Sequence, residues 1–244
     1  MGKEKVVLVT GGAKRIGAYI ARYFHTKGFN VILHFNSSAK EAEQLKSDLL
    51  SIRKNSCRTI QANFLDENSI MSALKKILDS TERLDVLINN ASGFFPTPIE
   101  SATKEQWLTL LDTNATVPLL LIKGLKPLLE NSKGCVINIS DSEVSSGIPE
   151  YSLYAAAKAA LESLTKSLAK ELAPCVRINA IAPGIILWPE EGGLDEEKKA
   201  EIINKIILGR EGEPDDIASA AYLLYRSTYM TGQVLKIDGG RSPG

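Results

Sequence analysis

The 244-residue chain sets 29 basic against 29 acidic side chains, a balance that leaves no electrostatic footprint for nucleic acid or an anionic membrane surface. Its length suits one α/β domain with a large core. Cys57, Cys135 and Cys175 are widely spaced and form no Cys-x-x-Cys pair, which suggests neither a disulfide framework nor a zinc site and predicts buried thiols in a reducing compartment. The polar start Met1 to Lys5 offers no signal peptide, and no apolar run is read as long enough to cross a bilayer. A soluble, cytoplasmic protein without a nucleic-acid or membrane partner is expected.

Residues 5 to 10 (K-V-V-L-V-T) read as a buried parallel strand that ends at Gly11-Gly12. Ile16, Ile20 and Phe24 then recur at helical spacing up to Gly28. A second strand spans Asn30 to Phe35, followed by a polar helix from Ser38 to Lys54 with Leu45, Leu49 and Ile52 inward. The alternation continues with a strand near Cys57 to Ala62, a helix near Glu67 to Thr81 and a strand from Leu84 to Asn90. Thr103 and Gln106 have capping-box spacing ahead of a long helix carrying Trp107, Leu110 and Leu111, which Pro118 and Pro127 are expected to interrupt. Gly134 to Ser140 is a fifth strand, and the helix after it carries Leu161, Leu164, Leu168 and Leu172 on one stripe. Val176 to Ile181 is a sixth strand. Ile185 to Leu194 has no period and reads as a loop over the site, with the substrate loop running to about residue 212. Pro214, Asp215 and Asp216 suit a helix start, and Gln233 to Ile237 is the last strand. The order predicts a single-domain, Rossmann-like, doubly wound parallel sheet of about seven strands with helices on both faces. In such a sheet ligands bind beyond the carboxyl ends of the strands, where Thr10, Asn36, Asn90, Asp141 and Gly184 all fall.

Two local patterns then carry chemistry. Thr10 to Gly17 (T-G-G-A-K-R-I-G) turns from strand into helix, where glycines allow close backbone approach and helix amides suit pyrophosphate. Lys14 and Arg15 add positive charge there. The second strand ends in His34-Phe35-Asn36-Ser37-Ser38, with no acid to hold a ribose 2′-hydroxyl, so NADP(H) is expected over NAD(H). His34 is either a cofactor contact or a locally satisfied strand-end histidine. The second pattern is Tyr154-x-x-x-Lys158, on an alanine-rich helix. Residues four apart share a face, and an ammonium beside a phenol is expected to make it easier to deprotonate.

Together these residues resemble the short-chain dehydrogenase/reductase family over essentially the whole chain. The match rests on T-G-G-A-K-R-I-G at 10 to 17, N-N-A-S at 89 to 92, Asn114, Tyr154-x-x-x-Lys158, Pro183-Gly184 and D-G-G at 238 to 240. The resemblance implies Tyr154 as acid/base, Lys158 as its modulator and a ribose binder, and Asn114 in a water-linked proton relay. It implies cofactor contacts from Gly11, Lys14, Arg15, Ile16, Gly17, His34, Asn36, Ser37, Ser38, Asn63, Phe64, Asn90, Ala91, Ser92, Tyr154, Lys158, Pro183, Gly184 and Ile185, and a homotetramer built through the long helices holding Asn114 and Tyr154.

Two departures from the family pattern stand out. Arg15 replaces the usual third glycine of the loop, and Asp141 stands thirteen residues before Tyr154, where the family has its serine. A serine donates to a carbonyl oxygen, whereas a carboxylate only accepts and repels a developing oxyanion. Reduction of a C=N bond instead needs a proton at nitrogen, which an aspartate that carries or passes a proton suits. With N-A-S-G-F-F-P-T-P at 90 to 98 and the H-F-N-S-S-A segment, the chain is similar to the pteridine reductase branch. That likeness implies NADPH-dependent reduction of dihydropterins or dihydrofolate, with Phe94 stacked on the pterin, Ser92 bonded near it, Arg15 bridging cofactor phosphate and substrate, and Trp188 walling the pocket. The competing expectations are a reductase of ketones or 3-oxoacyl thioesters, with Ser140 or Ser142 replacing the serine, and a non-catalytic dinucleotide-sensing protein.

Overall fold

Apolar runs that lie between helices have no hairpin partner, so they pair side by side in parallel. The computed structural model, which describes residues 4–188 and 195–242, has one seven-stranded parallel sheet. Its strands are β1 (Val6–Val9), β2 (Asn30–Phe35), β3 (Cys57–Gln61), β4 (Val86–Asn89), β5 (Cys135–Ile139), β6 (Arg177–Pro183) and β7 (Val234–Ile237). They lie in the order β3-β2-β1-β4-β5-β6-β7, so the winding reverses between β1 and β4. Val9 pairs with Ile88 across that switch point. A crevice therefore opens where Thr10 and Asn90 leave the sheet.

Alternate strand residues face opposite sides, and they build two cores. Val7, Val9, Val31, Leu33, Ile88 and Ile137 pack under α1 (Arg15–Thr26), α2 (Ala39–Ile52) and α8 (Pro214–Arg226). Leu8, Ile32, Leu87, Val136 and Ile178 pack under α3 (Glu67–Ser80), α5 (Val117–Ser132) and α6 (Ser152–Glu171). The doubly wound arrangement is the one expected.

Several local expectations change. Pro118 and Pro127 do not interrupt the helix: α4 (Lys104–Leu111), a π turn (Asp112–Thr116) and α5 form a continuous 29-residue helical run. Pro118 sits in the first turn of α5, where its missing N–H is tolerated. By length and composition alone that run is long and apolar enough to cross a membrane, where no such run was expected. Its apolar side chains Leu121, Leu125 and Leu129 are buried against the sheet. On α6 the inward face is Tyr154, Ala157, Lys158, Leu161, Thr165 and Ala169, so Leu164, Leu168 and Leu172 are only partly covered. Small residues permit the close approach to the sheet that the leucine stripe was expected to make. Ile52, expected inward, is 71% exposed at the last residue of α2, and Cys175 is exposed, unlike Cys57 and Cys135. Finally, α7 (Glu196–Ile203) forms within the span read as loop, capped by Asp195 accepting from the Lys198 N–H at 2.8 Å. Of the loop expected over 185–194, residues 189–194 lie outside the described residues.

Candidate active site

The turn after β1 is held from both sides. The buried Thr10 hydroxyl accepts the N–H groups of Asn90 (2.9 Å) and Ala91 (3.0 Å), and the Asn90 amide donates to the carbonyls of Thr10 (2.9 Å) and Gly11 (3.1 Å). Gly11 has φ +58°, a conformation glycine adopts freely. A Cβ on Gly17 would collide with the Gly11 carbonyl oxygen, so the helix can cross the turn this closely only with glycine there. Arg15, in the position of the third family glycine, takes a left-handed φ of +49° despite its side chain.

The dinucleotide expected from the sequence fits this end of the sheet. The first turn of α1 contains no acid and Lys14 at its N-cap supplies no side-chain cap, so its leading amides and two neighbouring cations suit a diphosphate. Asn36, Ser37 and Ser38 follow the end of β2, and none is acidic. Lys14 is engaged with Glu41 at 2.8 Å. Arg15 donates to the carbonyls of Leu187 (2.9 Å) and Trp188 (3.1 Å), which ties the turn to the loop after β6 and brings the expected residues Arg15 and Trp188 together. Pro183 ends β6, the Gly184 N–H donates to the Ile237 carbonyl, and the Ile185 carbonyl accepts from the Gly212 N–H. Two expected cofactor residues sit differently. His34 is buried, with both ring nitrogens engaged inside the protein, and Phe64 is stacked against it rather than facing the crevice. Asn63 is exposed, and its side-chain oxygen accepts from the Leu65 N–H at 3.0 Å.

The proton-handling residues converge where β5 and α6 meet. The Tyr154 hydroxyl donates to Asp141 Oδ2 at 3.0 Å, and Asp141 Oδ1 accepts the Glu143 N–H at 2.9 Å. Lys158, on the same face one turn along α6, donates its buried amine to the Ile139 carbonyl at 2.8 Å and lies 5.7 Å from the Tyr154 ring centroid. Burial pushes the Lys158 ammonium down to about 8, with the charges of Asp141 and Glu162 opposing that fall. Tyr154 departs from expectation. Burial, then the Asp141 charge and its hydrogen bond, hold the phenol above its ordinary range. In this state the proton stays on tyrosine.

Asn114 lies in the π turn, which packs against α6. Its side chain donates to the carbonyls of Gly93 (3.0 Å) and Leu110 (2.9 Å) and accepts from the Ser92 hydroxyl at 2.7 Å. Pro118 has no N–H to offer the Asn114 carbonyl in an α-helical ladder. Phe94 meets Tyr154 edge-on, at 4.8 Å and 82°, and stacks on Tyr151, at 4.5 Å and 10°. Tyr151 was missed in the sequence, although it stands three residues before Tyr154 and so shares its side of the helix entrance. Glu143 and Glu162 were also missed. Ser140 donates to Glu162 at 2.7 Å, and the buried Ser142 hydroxyl has no partner among the described residues. Among the described residues, the Tyr154 hydroxyl bonds Asp141 and neither serine.

A family model described as Enoyl-(Acyl carrier protein) reductase matches residues 11–242. The chain is 32% identical to a 3-oxoacyl-(acyl-carrier-protein) reductase of Staphylococcus aureus, covering 98% of this chain and 99% of the relative. It is 33% identical to a dihydromonapterin reductase of an Enterobacter species, over 98% and 97% of the two chains. A pteridine reductase 1 of Leishmania tarentolae is 29% identical, over 97% and 96%.

Proposed function

The chain belongs to the short-chain dehydrogenase/reductase family of oxidoreductases, and from that premise we propose that it is an NADPH-dependent pteridine reductase acting on a C=N bond of a dihydropterin or dihydrofolate. The observation that carries this reading is the 3.0 Å bond from the Tyr154 hydroxyl to Asp141. It puts a carboxylate where reduction of a carbonyl calls for a neutral donor.

When bound, NADPH would supply the hydride that the ring carbon takes up. Gly11, Arg15, Ile16, Gly17, Asn90 and Ala91 hold the dinucleotide at the switch point, Asn36, Ser37 and Ser38 take the 2′-phosphate end, and Lys158 binds the ribose. Phe94 offers a flat face for the pterin, with Ser92, Arg15 and Trp188 at its edges. The reduced C=N nitrogen takes one proton, delivered from Tyr154 along the Tyr154–Asp141 bond. The raised proton affinity of Tyr154 keeps the phenol protonated until that nitrogen draws on it. The Lys158 ammonium, charged below about pH 8, offsets the phenolate that develops. Asn114 then passes replacement protons from water. A homotetramer joined through the helices that bear Asn114 and Tyr154 completes the reading, and sedimentation at micromolar concentration checks it: a monomer contradicts it.

A second reading, reduction of 3-oxoacyl thioesters, draws support from the likeness to the Staphylococcus aureus enzyme. It needs a neutral donor beside Tyr154. Ser140 is committed to Glu162, which leaves Ser142 as the hydroxyl this reading depends on. NADPH oxidation measured with dihydropterin, dihydrofolate and a 3-oxoacyl thioester separates the two. The first reading expects turnover of the pterin or folate, whereas turnover of the thioester alone overturns it.

A further inference from the structure

His34 reaches both adjacent amides of the turn after β1. Its main-chain carbonyl accepts the Gly12 N–H at 2.9 Å, and its Nδ1 accepts the Gly11 N–H at 3.2 Å. With Nδ1 accepting, the ring proton resides on Nε2, which donates to the Ala62 carbonyl at 3.1 Å just past β3. The Phe64 ring lies parallel over the imidazole, 3.7 Å between centroids and 9° between planes. Histidine and phenylalanine are 3% and 8% exposed, so neither presents a surface to a ligand. One imidazole therefore spans the two segments expected at opposite ends of an adenine nucleotide: the phosphate turn on one side and Ala62-Asn63-Phe64 on the other.

We propose that His34 is a positioning residue for the dinucleotide, an internal strut that sets the phosphate turn relative to the adenine wall through Nδ1 on Gly11 and Nε2 on Ala62. The neutral ring is suited to this, because a protonated Nδ1 could not accept. Burial holds the imidazole near 4, so it stays neutral at ordinary pH. Without the acceptor, the part-buried Gly11 N–H loses its partner and the turn samples positions in which the crevice is misshapen. The restoring cost then appears in cofactor binding. The inference rests on the dinucleotide reading and is independent of whether the substrate is a pterin.

Three substitutions separate positioning from mere filling. His34→Phe keeps a ring against Phe64 and removes both hydrogen bonds. His34→Asn replaces Nδ1 with an amide oxygen at a matching distance from the backbone, and His34→Gln sets its polar atoms one bond further out, nearer to Ala62. NADPH dissociation constants by fluorescence titration, with folding checked by circular dichroism, give the readout. We expect His34→Phe to weaken NADPH binding by at least ~10-fold, and His34→Asn to recover most of the loss. Turnover at saturating NADPH should stay within ~2-fold, since no group at the reacting atoms changes. Should His34→Phe not fold, His34→Gln binding more weakly than His34→Asn supports the strut. Folded His34→Phe that binds like the unsubstituted chain, or His34→Asn and His34→Gln loosened equally, overturns it. An unsubstituted chain that binds neither NADPH nor NADH overturns the cofactor reading itself, and the strut with it.

Discussion

Replacing Asp141 with asparagine removes the charge and keeps one acceptor oxygen where the carboxylate uses two, Oδ2 for the Tyr154 hydroxyl and Oδ1 for the Glu143 N–H; with the amide oxygen kept on Glu143, the NH2 group donates to the Tyr154 oxygen instead of accepting from it. The donor–acceptor separation is 3.0 Å and Tyr154 is 5% exposed. A unit charge about 4 Å away in a site of effective dielectric about 20 is worth up to about 4 kcal/mol, or roughly a thousandfold in proton affinity. Asp141→Asn therefore makes Tyr154 a stronger acid, and because the same charge also supports the Lys158 ammonium, the alkaline limb of the pH–rate profile that Lys158 sets moves to lower pH. Its effect on the pterin reaction is a loss: without a group that carries the proton onward, turnover at optimal pH falls about 10²-fold or more, the usual scale of acid–base assistance. The NADPH dissociation constant stays unchanged, as Asp141 is bonded to Tyr154 and Glu143 and not to the turn after β1. Single-turnover stopped-flow under saturating NADPH, beside a fluorescence titration, measures both quantities. Unchanged pterin turnover in Asp141→Asn would remove the carboxylate from the mechanism, and an unmoved alkaline limb would refute the electrostatic account of the site.

Lys158 gives a second pH dependence. Its folded pKa lies below the ordinary lysine value of 10.5, at about 8, so the native state binds fewer protons than the unfolded chain between those pH values. Folding stability contributed by this group thus rises with pH across that window, while the ammonium is lost; the activity that depends on it declines above pH 8. Glu162→Gln, which deletes one opposing charge, moves that decline to lower pH, as a pH series of initial rates would reveal. Thr10→Val takes the acceptor from the Asn90 and Ala91 N–H groups, and at about 1–3 kcal/mol for each unpaired donor it lowers stability by about 2–6 kcal/mol in denaturant unfolding; a change below about 0.5 kcal/mol contradicts the clamp around the turn. Phe94→Leu removes the ring stacked on Tyr151 and the face offered to a flat substrate. The pterin KM should rise several-fold, in line with about 0.5–1.5 kcal/mol per aromatic pair, and a KM that does not change removes the stacking role.

The parallel sheet was legible because most strands are apolar runs bounded by glycine or polar residues, and because helices intervene between them. The boundaries of those elements were less so. A proline stops a helix in isolation, yet Pro118 falls in the first turn of α5 after a π turn, and that register is set by packing rather than by composition. The stripe on α6 was misread for a related reason: which face turns inward is decided by how closely alanine and threonine let the helix approach the sheet, not by where the leucines are.

At the site, Tyr154, Lys158, Asn114 and Asp141 were found because each has a fixed spacing or an unusual identity. What spacing could not supply was their energetics. The lysine was expected to govern the phenol, but Lys158 bonds the Ile139 carbonyl while Asp141 touches the hydroxyl, and burial and the anion raise its proton affinity. His34 and Phe64 were placed at the cofactor by motif position, and their ring stack beneath the turn depends on β2 and β3 being neighbours. Tyr151 and Glu143 act through partners distant in sequence or through a loop conformation, neither of which a local pattern reveals.

The most direct test of the substrate reading is the specificity of the purified chain with NADPH as reductant, comparing kcat/KM for dihydropterin or dihydrofolate with that for a 3-oxoacyl thioester, in the unsubstituted protein and in Asp141→Ser. The account predicts that the unsubstituted chain prefers the pterin or folate and that Asp141→Ser shifts the ratio toward the thioester. A chain that reduces only the thioester, with a ratio unmoved by Asp141→Ser, would contradict it.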